Sequence, residues 1–248
     1  MPNVSYCEDN NEVHYNTLVN ETKLVVYYDI QDISEPTKVC TNYNNKFTSM
    51  EIDSGEIIEI STTGDITYQF NSVGQHIIKY EFEDPTIIGN NSPCFYTSTV
   101  VKRVIIPNIV TSISNNAFSF CPSLTSVTIG NSVTSIGSNG FSNNGLTEVI
   151  ISDSVTNIGM GAFNNCSGLT SVTIGNSVTN IDGGAFNNCS GLTSVTVETT
   201  TPPTLGDSNV FGNTNNCPIY VPSASVDTYK AASGWSTYAS RIQAIPTP

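Results

Sequence analysis

Charged side chains are scarce in this chain: Asp, Glu, Lys and Arg make up 12% of its 248 residues, where about 25% is usual for a globular protein. Basic residues are scarcest, with 8 Lys and Arg against 21 Asp and Glu, so the formal net charge is −13. Nucleic acids and anionic lipid surfaces are bound through clustered Lys and Arg. The composition therefore predicts no nucleic-acid partner.

Long apolar runs are also missing. The longest, such as LVVYY at residues 24–28, have the length of a strand, far short of the roughly 18 apolar residues of a membrane-spanning helix. Met1 is followed by PNVSYCEDNNEVHYN, which has neither the basic start nor the apolar core of a secretion signal. We expect no membrane insertion. An intracellular protein, a mature secreted form and a protein carried in a virus particle all fit this start.

Catalytic and metal-binding patterns are absent from the sequence. The chain has 2 histidines, His14 and His76, and its 7 cysteines include no CxxC pair, so the spacing of zinc ligands is missing. No GxSxG, HExxH, P-loop or strand-linked GxGxxG motif occurs. Both histidines are interpreted as surface strand residues, and carboxylates such as Glu56 and Glu59 as a solvated strand face. We expect no enzyme activity, no cofactor and no metal.

The chain does contain a repeat of about 23 residues. LTEVIISDSVTNIGMGAFNNCSG (146–168) and LTSVTIGNSVTNIDGGAFNNCSG (169–191) are identical at 17 of 23 positions. Further copies occupy 101–123, 124–145 and 192–216, and a degenerate copy occupies 77–100; the copy at 124–145 is one residue short. Self-similarity at this period indicates a stacked repeat architecture.

Each repeat is predicted to form one coil of a solenoid. In 169–191, SVTI alternates like a short strand with Val172 and Ile174 on its inner face, and GNS and GGAF turn the chain. One copy buries about six large apolar side chains, worth on the order of 9–18 kcal/mol. Ordering its backbone costs on the order of 25–45 kcal/mol. A lone repeat therefore cannot fold, and the copies must stack.

The shared pattern LTSVTIxNSVTxIGxxAFxxCSG resembles the BspA-like subclass of bacterial leucine-rich repeats, clearly over 101–216 and weakly over 77–100. Asn144 stands where the pattern has Cys, and Asp182 where it has Gly. The resemblance implies a leucine-rich repeat solenoid of short parallel strands, closed at its end by a cap. It also implies that partners bind on the sheet face, as is common among leucine-rich repeat proteins.

Two segments flank the repeats. Residues 1–76 lack the period and are predicted to form antiparallel strands: a hairpin within 4–16, then KLVVYYDI, FTSMEI, EIIEI and TYQF, with HIIKYEF continuing into the first repeat. This unit is either half of a sandwich or a module that caps the N-terminal end.

Residues 217–248 are predicted to close the other end. Their helix would be capped by Ser223 or Ser225 and ended by Gly234, with Trp235 as apolar cover. The expected fold class is thus mainly β. It comprises a small antiparallel β domain (1–76), a leucine-rich repeat solenoid (77–216) and a C-terminal helical cap (217–248).

Two columns of side chains recur in register. Cys121, Cys166 and Cys189 each follow a Phe by three residues. We interpret them as a buried column, with a disulfide between neighbouring coils as the alternative. An Asn or Asp also follows each strand, predicted to bond turn backbone groups: Asn108, Asn131, Asp153 and Asn176.

The residues between the inward positions of each strand are predicted to face out on the sheet. They are mostly small hydroxyls, and four residues break the pattern: Arg103, Ile105, Glu148 and Ile150. A passive solvated surface is one interpretation of this face, and a partner-binding surface is the other. The predicted partner-binding residues are Arg103, Ile105, Ser126, Thr128, Glu148, Ile150, Ser152, Ser171 and Thr173.

The repeats and the missing chemistry predict a non-enzymatic adhesion or protein-interaction protein. It would present its repeat sheet to a protein or glycan on a cell or particle surface. The alternative is a structural or decorating protein of a phage virion, with the N-terminal β domain as anchor and the repeats displayed outward as part of a larger assembly. Both hypotheses place the protein outside the cell or on a particle surface.

Overall fold

The computed structural model describes residues 23–42, 47–53, 55–61, 64–82, 87–88 and 95–246. The hairpin predicted within residues 4–16 lies outside the described residues, as do Cys7, His14 and Cys94.

The described N-terminal part forms antiparallel strands rich in β-branched and aromatic residues, which favour extended backbone. The strands are β1 (Leu24–Ile30), β2 (Thr37–Asn42), β3 (Phe47–Ile52), β4 (Glu56–Glu59), β5 (Gly64–Tyr68) and β6 (Gly74–Phe82). β6 pairs with β1 and β3, and β3 pairs with β4, whereas β2 and β5 form a separate ribbon. The predicted antiparallel sheet is confirmed. β2 was not predicted from the sequence, because its apolar residues, Val39 and Cys40, are adjacent and do not alternate.

The repeats form a solenoid of about six turns with two strips of short parallel strands. The strands are β7 (Ile87–Ile88), β8 (Val101–Ile105), β9 (Ser112–Ile113), β10 (Ser126–Thr128), β11 (Ser135–Ile136), β12 (Glu148–Ile151), β13 (Asn157–Ile158), β14 (Ser171–Ile174), β15 (Asn180–Ile181), β16 (Ser194–Val197) and β17 (Thr204–Leu205). The odd-numbered strands from β7 to β17 pair as one continuous ladder. The even-numbered strands from β8 to β16 lie along the second, wider strip. The expected parallel solenoid is confirmed.

The N-terminal sheet continues directly into the solenoid. β1 pairs antiparallel with β8, and β8 pairs parallel with β10, so six strands share one sheet in the order β10-β8-β1-β6-β3-β4. β6 spans the boundary expected at 76/77. The division of the chain into three parts remains a prediction, and the pairing shows that the first two parts share backbone hydrogen bonds.

A column of stacked phenylalanine rings fills the solenoid core. Neighbouring rings are 5.2–5.5 Å apart between centroids and within 8° of parallel. At the N-terminal end Phe47 and Tyr80 pack on the first ring, and at the C-terminal end Trp235 and Tyr238 pack on the last. The stacked residues are Phe95, Phe118, Phe141, Phe163, Phe186 and Phe211.

The C-terminal segment closes the stack as predicted. It contains β18 (Ile219–Val221), α1 (Val226–Ala231) and β19 (Ile242–Ala244), with β19 parallel to β18. Trp235 is fully buried and its indole N–H donates to the carbonyl of Pro203 at 2.7 Å. The helix cap differs from expectation: the Ser225 hydroxyl donates to the carbonyl of Thr200 and makes no bond to the helix N-terminus.

Candidate binding face

The outward side of strands β10, β12 and β14 carries most of the predicted partner-binding residues. Glu148 and Ile150 are exposed, and the Ile150 side chain is 63% exposed. The other members on these strands and the turn after β12 are half-buried: Ser126, Thr128, Ser152, Ser171 and Thr173. These seven residues are called the binding face below.

The two predicted residues on β8 lie in a different environment. Ile105 was expected to be exposed, and this is wrong because its side chain is fully buried. Its strand is paired on both sides, and Ile105 lies opposite Val25 of β1, which is also fully buried. Arg103 lies opposite Tyr27, with its guanidinium carbon 5.3 Å from the centre of that ring in a cation–π arrangement. Both residues therefore contact the N-terminal sheet.

The wide strip of strands is interrupted between β10 and β12. β10 is the edge of the N-terminal sheet, and β12 is the edge of a second sheet in the order β12-β14-β16-β18-β19. The amide of Thr147 reaches the carbonyl of Thr125 at 3.3 Å, whereas the equivalent bond from Thr170 to Thr147 is 2.8 Å. Beyond this bond, no strand pairing between β10 and β12 occurs in the described residues.

The short repeat explains the interruption. After its Phe, the turn into β12 reads SNNG (142–145) where the next copy has NNCSG (164–168), so the chain reaches Leu146 one residue early. A Cβ on Gly145 would overlap the carbonyl oxygen of Pro122, as one on Gly191 would overlap that of Ser167 in a full-length coil, so this turn packs tightly against the preceding coil with or without the missing residue. The ladder of β9, β11 and β13 on the other strip is unbroken. The missing residue therefore opens only the strip that carries the binding face.

A groove of about 840 Å³ lies at this interruption. Its lining reaches the core side of β10, where Val127 is only partly buried although the matching Val149 and Val172 are almost fully buried. Six of the nine predicted residues line it, and Arg103, Ile105 and Ser171 do not. Those six are Ser126, Thr128, Glu148, Ile150, Ser152 and Thr173. These six residues were predicted from the sequence, but the groove that they share was not.

The groove is acidic. Glu148, Asp153 and Glu198 line it, all three are exposed, and none of the Lys and Arg residues that the structure describes lines it. None of the three carboxylates forms an ion pair with any residue that the structure describes. Asp153 accepts a hydrogen bond from the Asn176 amide at 2.8 Å. Together with the exposed Ile150, this gives a surface with both apolar and anionic contacts.

The side chains around the groove are held by bonds between successive coils. The Thr170 and Thr193 hydroxyls donate to the carbonyls of Thr147 and Thr170, each at 2.9 Å. The Asn131 amide donates to the side-chain oxygen of Asn108 at 2.7 Å. Together with the Asn176–Asp153 bond, this confirms the predicted bonding of turn backbone groups for Asn108 and Asp153, whereas the Asn176 side chain accepts a bond from the Ser177 hydroxyl at 3.2 Å.

The cysteine column is buried and reduced. Among the described residues no disulfide forms, and the thiols of Cys121, Cys166 and Cys189 donate to the carbonyls of Phe95, Phe141 and Phe163 at 2.9–3.1 Å. Burial raises the pKa of Cys121 and of Cys166 to about 12, and it also raises the pKa of Cys189. The structure thus supports the buried column over the disulfide. Thiols with raised pKa values are poor nucleophiles at neutral pH.

The arrangement closest to catalytic machinery in the described residues is Asp53, His76 and Ser72. His76 Nδ1 is 2.7 Å from Asp53 Oδ2, and Nε2 is 2.9 Å from the Ser72 carbonyl oxygen but 3.5 Å from its hydroxyl. A carbonyl only accepts, so Nε2 donates to it and is not free to take a serine proton. The surface position predicted for His76 is wrong, because packing on Phe70 leaves it 7% exposed. This cluster joins the turn before β6 to the sheet.

Other candidate chemistry is sparse in the described part of the chain. No group of three or more His, Cys, Asp or Glu residues there is placed to hold a metal ion. Glu56 accepts a hydrogen bond from Tyr68 at 2.7 Å, which raises the pKa of that tyrosine to about 12, and Glu59 is exposed on the same strand. None of the helices described is both long and apolar enough to span a membrane.

The geometry defines a repeat solenoid of parallel strands with an exposed sheet face. Residues 86–218, more than half of the 248, match the BspA type leucine-rich repeat region in 6 copies. The chain belongs to this family.

Two solved structures are among those that match. Pneumococcal vaccine antigen PcpA is 20% identical, with a TM-score of 0.48, and the match covers 60% of this chain and 36% of that one. A leucine-rich repeat protein from Bacteroides ovatus is also 20% identical, with a TM-score of 0.39 and coverage of 77% and 55%. This chain therefore spans less than two thirds of the length of either. None of the curated proteins compared with the chain matches it.

Proposed function

We propose that this chain is a non-enzymatic interaction protein that attaches to a protein on a cell surface through its binding face. One observation carries the proposal: Ile150 is 63% exposed at a sheet position where the next coil has Thr173. An exposed apolar side chain beside a groove is typical of an interaction site. Membership of a leucine-rich repeat family supports a role in protein interaction.

The first prediction tests this face by one substitution and a matched control. Ile150→Lys replaces the exposed apolar group by a charge, and we expect attachment of the labelled protein to intact bacterial or epithelial cells to weaken about tenfold. Met160→Lys is the control, because Met160 is 64% exposed but lies outside the binding face. Neither change should lower the melting temperature, because both side chains are exposed to solvent and bury little apolar surface. Equal attachment of the two variants would rule out this face.

Fractionation of the native protein tests where it acts. Recovery with intact cells, with protease-sensitive exposure, would support attachment at a cell surface. Recovery in purified phage particles would instead support the virion hypothesis.

A further inference from the structure

The groove between β10 and β12 has the features of a site for an added chain. Both strands are edges of their sheets, so their facing sides present backbone groups that no strand ladder uses in the described residues. The Thr147–Thr125 bond holds the two strands together at one end, so an extended segment would lie along the outer mouth of the groove and not between the strands. The partly exposed Val127 and the exposed Ile150 supply apolar contacts on either side.

The negative charge of the groove indicates that its partner is cationic. Three exposed carboxylates line it, those of Glu148, Asp153 and Glu198, and none of the described Lys or Arg residues does. The whole chain adds a net charge of −13, which attracts cationic segments and repels anionic ones. An extended segment places alternate side chains on one side. Lysine and arginine would reach the carboxylates while their aliphatic stems cover apolar groups such as Ile150.

We propose that this groove binds an extended peptide segment that carries alternating lysine or arginine residues. The proposal rests on the proposed function, since it names the partner chemistry for the same face. The groove exists because the repeat at 124–145 is one residue short, so this site is absent between the neighbouring full-length coils, where β12 and β14 pair over four residues.

The second prediction tests the charge. The probe is a fluorescent decapeptide of alternating lysine and threonine, with alternating glutamate and threonine as the negative probe, and binding is measured by fluorescence anisotropy. We expect Glu148→Gln with Glu198→Gln to weaken binding about fivefold or more. The matched control, Glu35→Gln with Glu59→Gln, removes two exposed carboxylates outside the groove. Equal losses in the two double variants would mean attraction to net charge alone and would overturn the proposal.

The third prediction tests the origin of the groove. Inserting a serine between Asn144 and Gly145 restores the 23-residue length, and we expect it to join β10 to β12 and to weaken peptide binding as much as the glutamate variants do. Unchanged binding in a folded insertion variant would contradict the proposal. If the insertion variant does not fold, the proposal is tested by the glutamate variants of the second prediction alone.

These outcomes are separable from the proposed function. Suppose that Ile150→Lys loses cell attachment but the unmodified protein does not bind the lysine peptide. The proposed function of the binding face would then stand, and only the basic peptide would be rejected as its partner. Peptide binding that depends on Glu148, with cell attachment indifferent to Ile150, would support the groove and reject the surface role.

Discussion

At the residue scale, the turns of each coil depend on asparagine. Asn143, Asn165 and Asn188 occupy equivalent places and have φ of 55–60°, a left-handed conformation that Asn tolerates better than other residues with a Cβ. Asn165 also donates from its amide to the Asn143 side-chain oxygen at 3.2 Å. The frequent NN pairs of the sequence thus reflect a backbone requirement, which the repeat pattern alone did not explain.

The fourth prediction concerns this column. Asn165→Ala should lower the free energy of unfolding by about 1–2 kcal/mol, because alanine strains the left-handed backbone and the amide bond is lost. Asn165→Gly keeps the backbone free and loses only the amide bond, so we expect a smaller loss, about 0.5–1 kcal/mol. Urea unfolding of the two variants measures the difference. Equal losses would show that the amide bond, and not the backbone conformation, sets the cost.

The fifth prediction concerns the buried thiols. The unfolded chain loses thiol protons from pH about 9, whereas Cys121 and Cys166, with pKa values of about 12, keep theirs in the fold. Because the folded pKa is raised, stability is unaffected below pH 9 and falls as pH rises toward 12. Cys166→Ala should reduce the steepness of this fall by up to about 1.4 kcal/mol per pH unit. Unfolding free energies at pH 8, 10 and 11 test this, and an unchanged slope would contradict it.

At the element scale, much of the architecture was readable from the sequence, because a fixed period places equivalent residues on equivalent strands. The coil and the cysteine column follow from that period, and the C-terminal cap was predicted from its own helix signals and apolar residues. Ile105 was misassigned because its exposure depends on the pairing of β8 with β1, which the repeat pattern does not encode. The groove was missed for a related reason. The sequence shows that the repeat at 124–145 has 22 residues. It does not show which turn of that coil is shortened or which of the two strips of strands is interrupted as a result.

At the scale of the whole molecule, the solenoid is a one-dimensional stack in which each coil contacts only its neighbours, so its stability depends on covered ends. Phe211 is the last stacked phenylalanine, and Trp235 covers it with ring centroids 5.8 Å apart. Trp235 also packs on Tyr229 at 4.8 Å. The N-terminal sheet performs the same function at the other end through Phe47 and Tyr80. The binding groove therefore lies between two capped ends, in the interior of the stack.

This organisation predicts the effect of a destabilising substitution in the C-terminal cap. Trp235→Ala removes a fully buried ring and should cost about 3–5 kcal/mol of local stability. Because coupling passes from coil to coil, amide hydrogen exchange should accelerate most in β16 to β18 and less with each coil toward β8, leaving the groove protected. The control is Phe120→Ala, since Phe120 is 45% exposed and outside the stacked column. Uniform acceleration along the chain would instead mean that the coils unfold as one cooperative unit, and end damage would then open the groove as well.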